Sequence, residues 1–487
     1  MGSLPNRPNH EQVCWSVIDA TGQPMPAIDT NKEDRSHEAE AYRKLIPPID
    51  QPGYSPRHEA LSPHPILTDS KFILDVECFH GALVKAVVNI VDRWWTDTNA
   101  DFPARMPLEA PVEAALQWLD EQSRSQKLPP FKDRLGNWRP DFLVTENDSA
   151  MGLEFQICEI NSRTPDNVVV HSAHKHRIMR QLIRSSPALK PAGDFDNWVE
   201  NLLGLFRIDL PVHILRERDQ LDRQEFVKTV KLGTGFCPRI VNIDDLQLRS
   251  DKTSVTGYSL YYRGQDPLEK IHQIVSTLFP DEFSLLSQDM LRQLATVAVN
   301  DLRISLLVND QRFLGIILQE LDALVNKHNI LNADQAKTLQ EGIVPTLLPG
   351  SPELKNWMRT YKQSEVSKDD YILKAARQSR GKGHLLGADL SPQEWAAIML
   401  DMQDPSIRPD VTSYVLQPFA RQVEFDLIGD EDQIAHGSLM VGCYYTTNGC
   451  FLGLGPWRSS TGKICNVYSG GVCVGLYSVT QAGVNGQ

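Results

Sequence analysis

The sequence predicts a mixed α/β (α+β) fold with an added N-terminal helical region. Three observations carry that prediction. Apolar residues recur at helical spacing over 68–122, strand-like and helical pieces alternate over 211–309, and the stretch from Tyr371 onward is rich in short apolar strands. With 487 residues and about 150 residues per domain as the usual size, two to three domains are expected. Lys plus Arg total 49 and Asp plus Glu 62, a formal charge of −13. That balance argues against nucleic acid or an anionic membrane as a partner of the whole surface, while leaving room for a local basic pocket.

No apolar run approaches the roughly 20 residues of a membrane helix, and the first residues carry no secretory pattern. Met1-Gly2 is followed by Asn6 where an acylation signal needs Ser or Thr. The eight cysteines contain no CxxC. Cys443, Cys450, Cys465 and Cys473 crowd near the C-terminus in apolar sequence, which reads as buried thiols of a reducing compartment; the alternative, a zinc site, lacks close-spaced ligand pairs. A cytoplasmic location is expected.

Residues 1–66 show no sustained period and read as an irregular arm with one short helix over 38–45. Residues 67–205 combine a helical layer with a hairpin. Phe72, Val76, Phe79, Leu83, Val87 and Ile90 form the helical stripe, and Trp94 and Trp95 pack behind it. The period then changes to strands at 141–145 and 153–160, joined by a turn-rich 146–152, before a helix over 166–184. Residues 206–310 alternate strands (212–215, 239–243, 258–262, 304–308) with helices, which predicts a mainly parallel sheet. Residues 311–366 are a helical connection, with Phe313, Leu314, Ile316, Ile317, Leu318, Leu321 and Leu324 as core, ending near Pro349-Gly350-Ser351-Pro352. Residues 367–487 carry strands at 371–374, 414–418, 422–427, 439–445, 450–454 and 463–467, with Thr447-Asn448-Gly449 as a hairpin turn.

The first hairpin concentrates chemistry. Strand side chains alternate faces, so Arg139 shares a face with Asp141, and Glu159 with Asn161. A turn near Ser149-Ala150 sets Asp141 opposite Glu159. Two carboxylates and an amide oxygen suit Mg²⁺, a hard cation that keeps substrate phosphates in its remaining positions, and the arginine would neutralise phosphate charge. The plainer alternative is a solvated hairpin face. Downstream, Lys374 leaves a strand into Arg377, Arg380, Gly381, Lys382 and Gly383, a loop able to meet phosphate with its ammonium and backbone N–H groups; a solvated basic turn is the alternative. The strand Tyr414-Val415-Leu416-Gln417-Pro418-Phe419 offers backbone groups for an adenine edge, or is only a strand. Gly453-Leu454-Gly455-Pro456-Trp457-Arg458, then Asn466 and Gly470-Gly471, adds a cation and a polar turn, or is a plain meander.

The set as a whole resembles the nucleotide clamp of ATP-grasp enzymes. The metal strands come before the lysine strand, the order of the circularly permuted ATP-grasp group typified by glutathionylspermidine synthetase. RPDF (139–142) resembles that group's Arg-x-Asp strand and CEIN (158–161) its Glu-x-Asn strand. YILKAARQSRGKG resembles the lysine strand and lid, YVLQPF the hinge, and the Arg458 segment the phosphate-binding arginine. The resemblance spans about 136–487 through these short patches. Departures are Ala375-Ala376 where Pro is common, fewer loop glycines, and Gln417 where many members have Glu.

The resemblance implies a circularly permuted ATP-grasp fold in which 206–310 is a pre-ATP-grasp-like domain and 367–487 the lid and nucleotide clamp. It further implies an ADP-forming carboxylate–amine ligase using ATP and Mg²⁺. Asp141, Glu159 and Asn161 would hold metal. Lys374, Arg139 and Arg458 would take up charge during phosphoryl transfer, and Lys374, Arg380, Gly381, Gly383, Gln417, Pro418, Phe419 and Arg458 would bind the nucleotide. Residues 378–387 would form the lid. Small-molecule carboxylate and amine substrates, amino-acid or peptide-like, are the implied partners, with no nucleic acid and no membrane; a homodimer is the default assembly. Rival readings are a non-catalytic nucleotide-binding scaffold of the same fold, and a small-molecule kinase on the same clamp. His171, His174 and His176 read as a polar helix face rather than a zinc site, with His174 a candidate substrate contact. Arg163, Arg177 and Arg180 are candidates for a substrate carboxylate.

Overall fold

The computed structural model describes residues 10–20, 23–46, 62–146, 153–163, 165–183, 189–219, 223–264, 266–378, 381–408, 410–429, 433–460, 462–465 and 472–479. The hairpin turn around Ser149-Ala150, Arg380, and the Asn466 and Gly470-Gly471 turn fall outside them.

An antiparallel seven-stranded sheet organises the chain. Its spatial order is Val472–Val474, Trp457–Ser460, Ile434–Thr447, Asn137–Glu146 and Leu153–Asn161, and the long Ile434–Thr447 strand also pairs with Phe425–Ile428 and Cys450–Leu454. The turn between Ile434–Thr447 and Cys450–Leu454 puts Asn448 and Gly449 both at positive φ, 48° and 79°, the backbone a tight two-residue hairpin demands and the reason Asn-Gly serves there. The helix Ser70–Arg93 starts where the Asp69 carboxylate accepts from Phe72 N at 2.6 Å. Its predicted stripe is buried against the sheet, with Phe72 and Phe79 set edge-on to Phe155 at 5.7 and 5.4 Å between ring centres. Trp94 stacks between Phe102 and Phe313, with centroids 5.0 and 5.9 Å away, so the N-terminal layer and the Arg312–Asp322 helix share one core.

The lysine strand, Tyr371–Ala375, lies in a separate antiparallel sheet between Leu385–Leu386 and Tyr414–Pro418. Leu354, Trp357, Leu373, Trp395, Met399, Met402 and Leu416 pack behind it, supplied largely by the helices Pro352–Lys362 and Pro392–Asp401. Among the described residues no helix is long and apolar enough to cross a membrane.

Several sequence expectations need correction. The parallel sheet exists, as Ile274–Ser276, His213–Leu215 and Arg239–Val241. Tyr258–Tyr262, however, sits in an antiparallel sheet with Leu246–Ser250 and Glu269–Ile271. The expected strand at 304–308 is a π-helical turn, Ile304–Val308. A short buried apolar run carries no period, so strand and helix look alike in sequence. Residues 463–465 form a bend rather than a strand, and 466–467 are outside the described residues. Within 1–66, where no period was visible, Val13–Ile18 pairs antiparallel with Pro24–Pro26, and the helix runs Lys32–Leu45 from an Asn31 cap. Of the C-terminal cysteines, Cys443 and Cys473 are buried as expected, but Cys450 is exposed.

His80 ties the long helix to the sheet: Nε2 lies 2.9 Å from Gly449 O and Nδ1 3.2 Å from Tyr444 Oη. Burial lowers its pKa from 6.5 to about 4. The folded state thus prefers neutral imidazole, so this contribution is complete above pH 6.5 and is lost as pH falls toward 4, worth about 3 kcal/mol over the window. Urea midpoints should fall across that window in the wild type and fall visibly less in His80→Gln; equal slopes would remove His80 as the cause.

Candidate active site

Across the hairpin ladder Asp141 pairs with Glu159 and Arg139 with Asn161, and the register slips between Asp141 and Phe142. Such a bulge bends the strand and re-aims its side chains. Asp141 has no exposed surface. Its Oδ1 accepts from Arg139 Nε at 2.7 Å, and its Oδ2 from Arg139 Nη2 at 2.9 Å and Asn161 Nδ2 at 3.2 Å. Arg458, carried in by the Trp457–Ser460 strand, donates to the same Oδ2. Asn161 Nδ2 also donates to Glu159 Oε1 at 2.9 Å. A half-turn of that amide would present its oxygen instead, toward a cation.

The two carboxylates are pushed in opposite directions. Burial raises Asp141 against the downward pull of Arg139 and Arg458. Burial also penalises a charged Glu159, but Lys374, the hydrogen bond from Asn161 and the charge of Arg458 outweigh it and hold Glu159 down at about 2. Glu159 therefore carries the firm negative charge at the cleft. Its Oε2 accepts from Gln311 Nε2 at 3.0 Å. Gln311 follows the π-helical turn, and its backbone N–H donates to Ala376 O at 2.9 Å, joining this wall to the lysine strand.

From the facing sheet, buried Lys374 donates through Nζ to Cys158 O at 3.1 Å, spanning the cleft. Gln417 is nearly fully buried and donates to Thr346 Oγ1 at 2.9 Å. Phe419 gives its backbone N–H to Asp370 O at 2.7 Å. Lys463 Nζ stands 5.9 Å over the Phe419 ring. Gly381 and Gly383 lie at φ 70° and 74°, a backbone that strains any other residue. His384 is pushed down to about 3, chiefly by burial and then by Lys374, so its ring is neutral.

These groups surround a cleft of about 270 Å³. Arg139, Glu159, Asn161, Lys374, Gly381, Gln417, Pro418, Phe419 and Arg458 line it; Asp141 sits behind the wall, and Gly383 does not reach it. Arg458 Nε, Arg377 Nη2 and His384 Nδ1 are buried polar atoms at its edge with no hydrogen-bond partner among the described residues, as suits an anionic ligand. Glu159 and Asn161 with Asp141 behind them form an oxygen-rich set that fits Mg²⁺. Arg139 spends Nε and Nη2 on Asp141, so it positions that carboxylate first and contributes charge to the wall second.

Other residues fall elsewhere. His171 lines the cleft, while His176 is buried and stacked on Phe195 at 3.5 Å, so the three histidines are not a solvated face. Arg177 and Arg180 pair with Asp196 in solvent, 3.3 and 2.8 Å away. Arg163 lines the cleft, donates to Thr277 O at 2.7 Å and lies 3.9 Å over Phe279. Sequence reading missed Gln311, Thr346, His384 and Lys463. Only the last two stood near a motif, and the first two lie far from any.

The AnkG N-terminal domain family matches residues 79–307. Over 481 residues the chain is 36% identical to the ATP-grasp enzyme ankG of Aspergillus thermomutatus, covering 94% of this chain and 98% of that protein. A glutathione synthetase-like effector, GSS30, of Globodera pallida in apo form aligns over 93% of this chain and 99% of its own with a TM-score of 0.51; at 10% identity the likeness is one of fold.

Gln311 supports Glu159 without reaching past it. Gln311→Leu should weaken divalent-cation affinity about 10- to 100-fold, the usual cost of losing a group that orients a ligand, with an unchanged melting temperature. Mn²⁺ titration followed by paramagnetic resonance would measure this, and an unaltered affinity would separate Gln311 from the metal site.

Proposed function

The chain belongs to the ATP-grasp enzymes, and from that premise we propose that it is an ATP-dependent carboxylate–amine ligase. The γ-phosphoryl group of ATP passes to a substrate carboxylate, giving ADP and an acyl phosphate; an amine then attacks the acyl carbon, phosphate leaves, and an amide remains. The observation that carries the reading is convergence. A carboxylate–amide metal set, two arginines and a lysine from the facing sheet meet at one cleft.

In this reading Glu159 and Asn161 would hold Mg²⁺ at the cleft while Asp141, buried behind them on Arg139 and Arg458, orients the set rather than reaching the ion as the sequence suggested; the ion when bound would neutralise phosphate charge. Lys374 and Arg458 place positive charge where negative charge builds during transfer, and the burial of Lys374 makes its charge the more effective. Arg139 keeps Asp141 in position. Gln417, fixed by Thr346, shapes the hinge end of the cleft beside Pro418 and Phe419. Gly381 and His384 line the cleft, and the segment that carries them is assigned to shielding the acyl phosphate from water. The substrates are taken as an amino-acid or peptide-like carboxylate and an amine.

Incubation with ATP, Mg²⁺ and pooled amino acids, polyamines and small carboxylic acids should release ADP and phosphate together with a condensation mass. Lys374→Met and Arg458→Ala should each lower kcat/KM by about 10²-fold or more, and Glu159→Ala should abolish metal-dependent turnover. A stable phosphorylated product without amide would convert the reading to a kinase. AMP release, or wild type that fails to bind ATP with Mg²⁺, would overturn it.

A further inference from the structure

Away from the cleft, three chemically unlike side chains meet in the N-terminal region. Cys14 comes from the Val13–Ile18 strand, Glu38 from the Lys32–Leu45 helix and His64 from the segment before the Ile66–Leu67 strand. Cys14 and Glu38 have no exposed surface and His64 has 1%. Their ligand atoms all lie within 4.8 Å of one another. His64 Nδ1 is 3.1 Å from Glu38 Oε2 and 3.9 Å from Cys14 Sγ.

Two ordinary explanations fit poorly. A thiol, imidazole and carboxylate arranged for nucleophilic catalysis would use opposite nitrogens of the ring, thiol on one and carboxylate on the other. Here both approach Nδ1, and none of the three is open to a substrate. A simple His–Glu pair with a weak sulfur hydrogen bond to the same nitrogen accounts for the contacts two at a time. A shared cation explains all three directions. With Zn–S about 2.3 Å and Zn–N or Zn–O about 2.0–2.1 Å, tetrahedral geometry sets S···N near 3.5 Å and N···O near 3.3 Å, within a few tenths of an ångström of the distances found.

We propose that Cys14, Glu38 and His64 form a structural zinc site. Thiolate and imidazole select zinc over magnesium or calcium. The support around the ligands suits the role. Ser16 donates both its N–H, at 2.6 Å, and its Oγ, at 2.7 Å, to Glu38 Oε1, which leaves Oε2 for the metal. Gln12 Nε2 donates to His64 O at 3.1 Å and pins the His64 segment. Three protein ligands leave one tetrahedral position for a ligand from outside the protein.

The strand's packing divides: Cys14 lies with Ala27 and Ile428, while Trp15 joins Tyr42, Ile178, Met179 and Tyr477 in a larger core. The ordered segment in turn braces the site strands: Ser62 N donates to Cys473 O at 2.8 Å, and Cys473 is the ladder partner of Arg458.

Full-length protein from zinc-supplemented expression, exhaustively desalted, should carry about one zinc per chain by elemental analysis. Glu159→Ala should keep it, and Cys14→Ser and His64→Gln should lose it. Because these variants can fail to fold, the wild type is also to be reconstituted with cobalt. A thiolate-to-cobalt charge-transfer band, retained in Cys237→Ser, is the expected result. Zinc-free wild type that melts as one folded species and gives no cobalt–thiolate band would overturn the assignment, as would zinc that persists in folded Cys14→Ser.

Discussion

Asp141, fully buried, is bound to three strands at once: its own through Arg139, the hairpin partner through Asn161, and the Trp457–Ser460 strand through Arg458. A carboxylate removed from water needs partners, and taking one away from such a group costs about 3–5 kcal/mol. The strands therefore meet in one register, or the charge is left unpaired. Everything at the cleft inherits that register. Glu159 stands opposite Asp141, Asn161 spans both, and Arg458 keeps Nε toward the cleft because Nη2 is already committed.

The second half of the clamp is joined to the first by a short relay of backbone. Val344 N donates to Ile157 O at 3.0 Å, and three residues on Leu347 exchanges hydrogen bonds of 2.9 and 3.1 Å with Leu416. Thr346, between them, receives Gln417. The Asn137–Asn161 hairpin and the Tyr414–Pro418 strand are thus spaced by the segment 343–347, and Lys374 and Gln311 complete the connection from the side. ATP-grasp chemistry relies on positioning and electrostatics, and here main-chain bonds between the segments add to the side-chain network around Asp141 in setting position.

What was legible in the sequence follows from what was local. Asp141 and Glu159 could be set opposite each other because a period of two and one turn are enough to fix a hairpin. Lys374 and Arg458 were singled out by the order of short motifs along the chain, which resembles the ATP-grasp layout, rather than by either motif alone. Gln311 was not, since its placement depends on a π-helical turn that a buried apolar run conceals. Thr346 was equally hidden, for its only distinction is a partner 71 residues away. The long Ile434–Thr447 strand was seen only over 439–445, because its first residues are partly exposed and lack the apolar alternation that marks its end. The histidines after Asn161 were misjudged for a related reason: His176 is buried by Phe195 and Trp198, which come from a different helix.

The sheet that holds the site interleaves distant parts of the chain. Cys443 is the ladder partner of Asp141, and Arg458 reaches that carboxylate across 317 residues of sequence. Loop closure of that length precedes any gain from pairing, so contact order is high and assembly is slow. During synthesis the hairpin emerges long before its neighbouring strands, leaving one edge of Asn137–Glu146 unpaired and Asp141 without Arg458. Until the last strands arrive, that edge is open to wrong partners, and a chaperone that covers it would govern the yield of native protein more than any feature of the finished cleft.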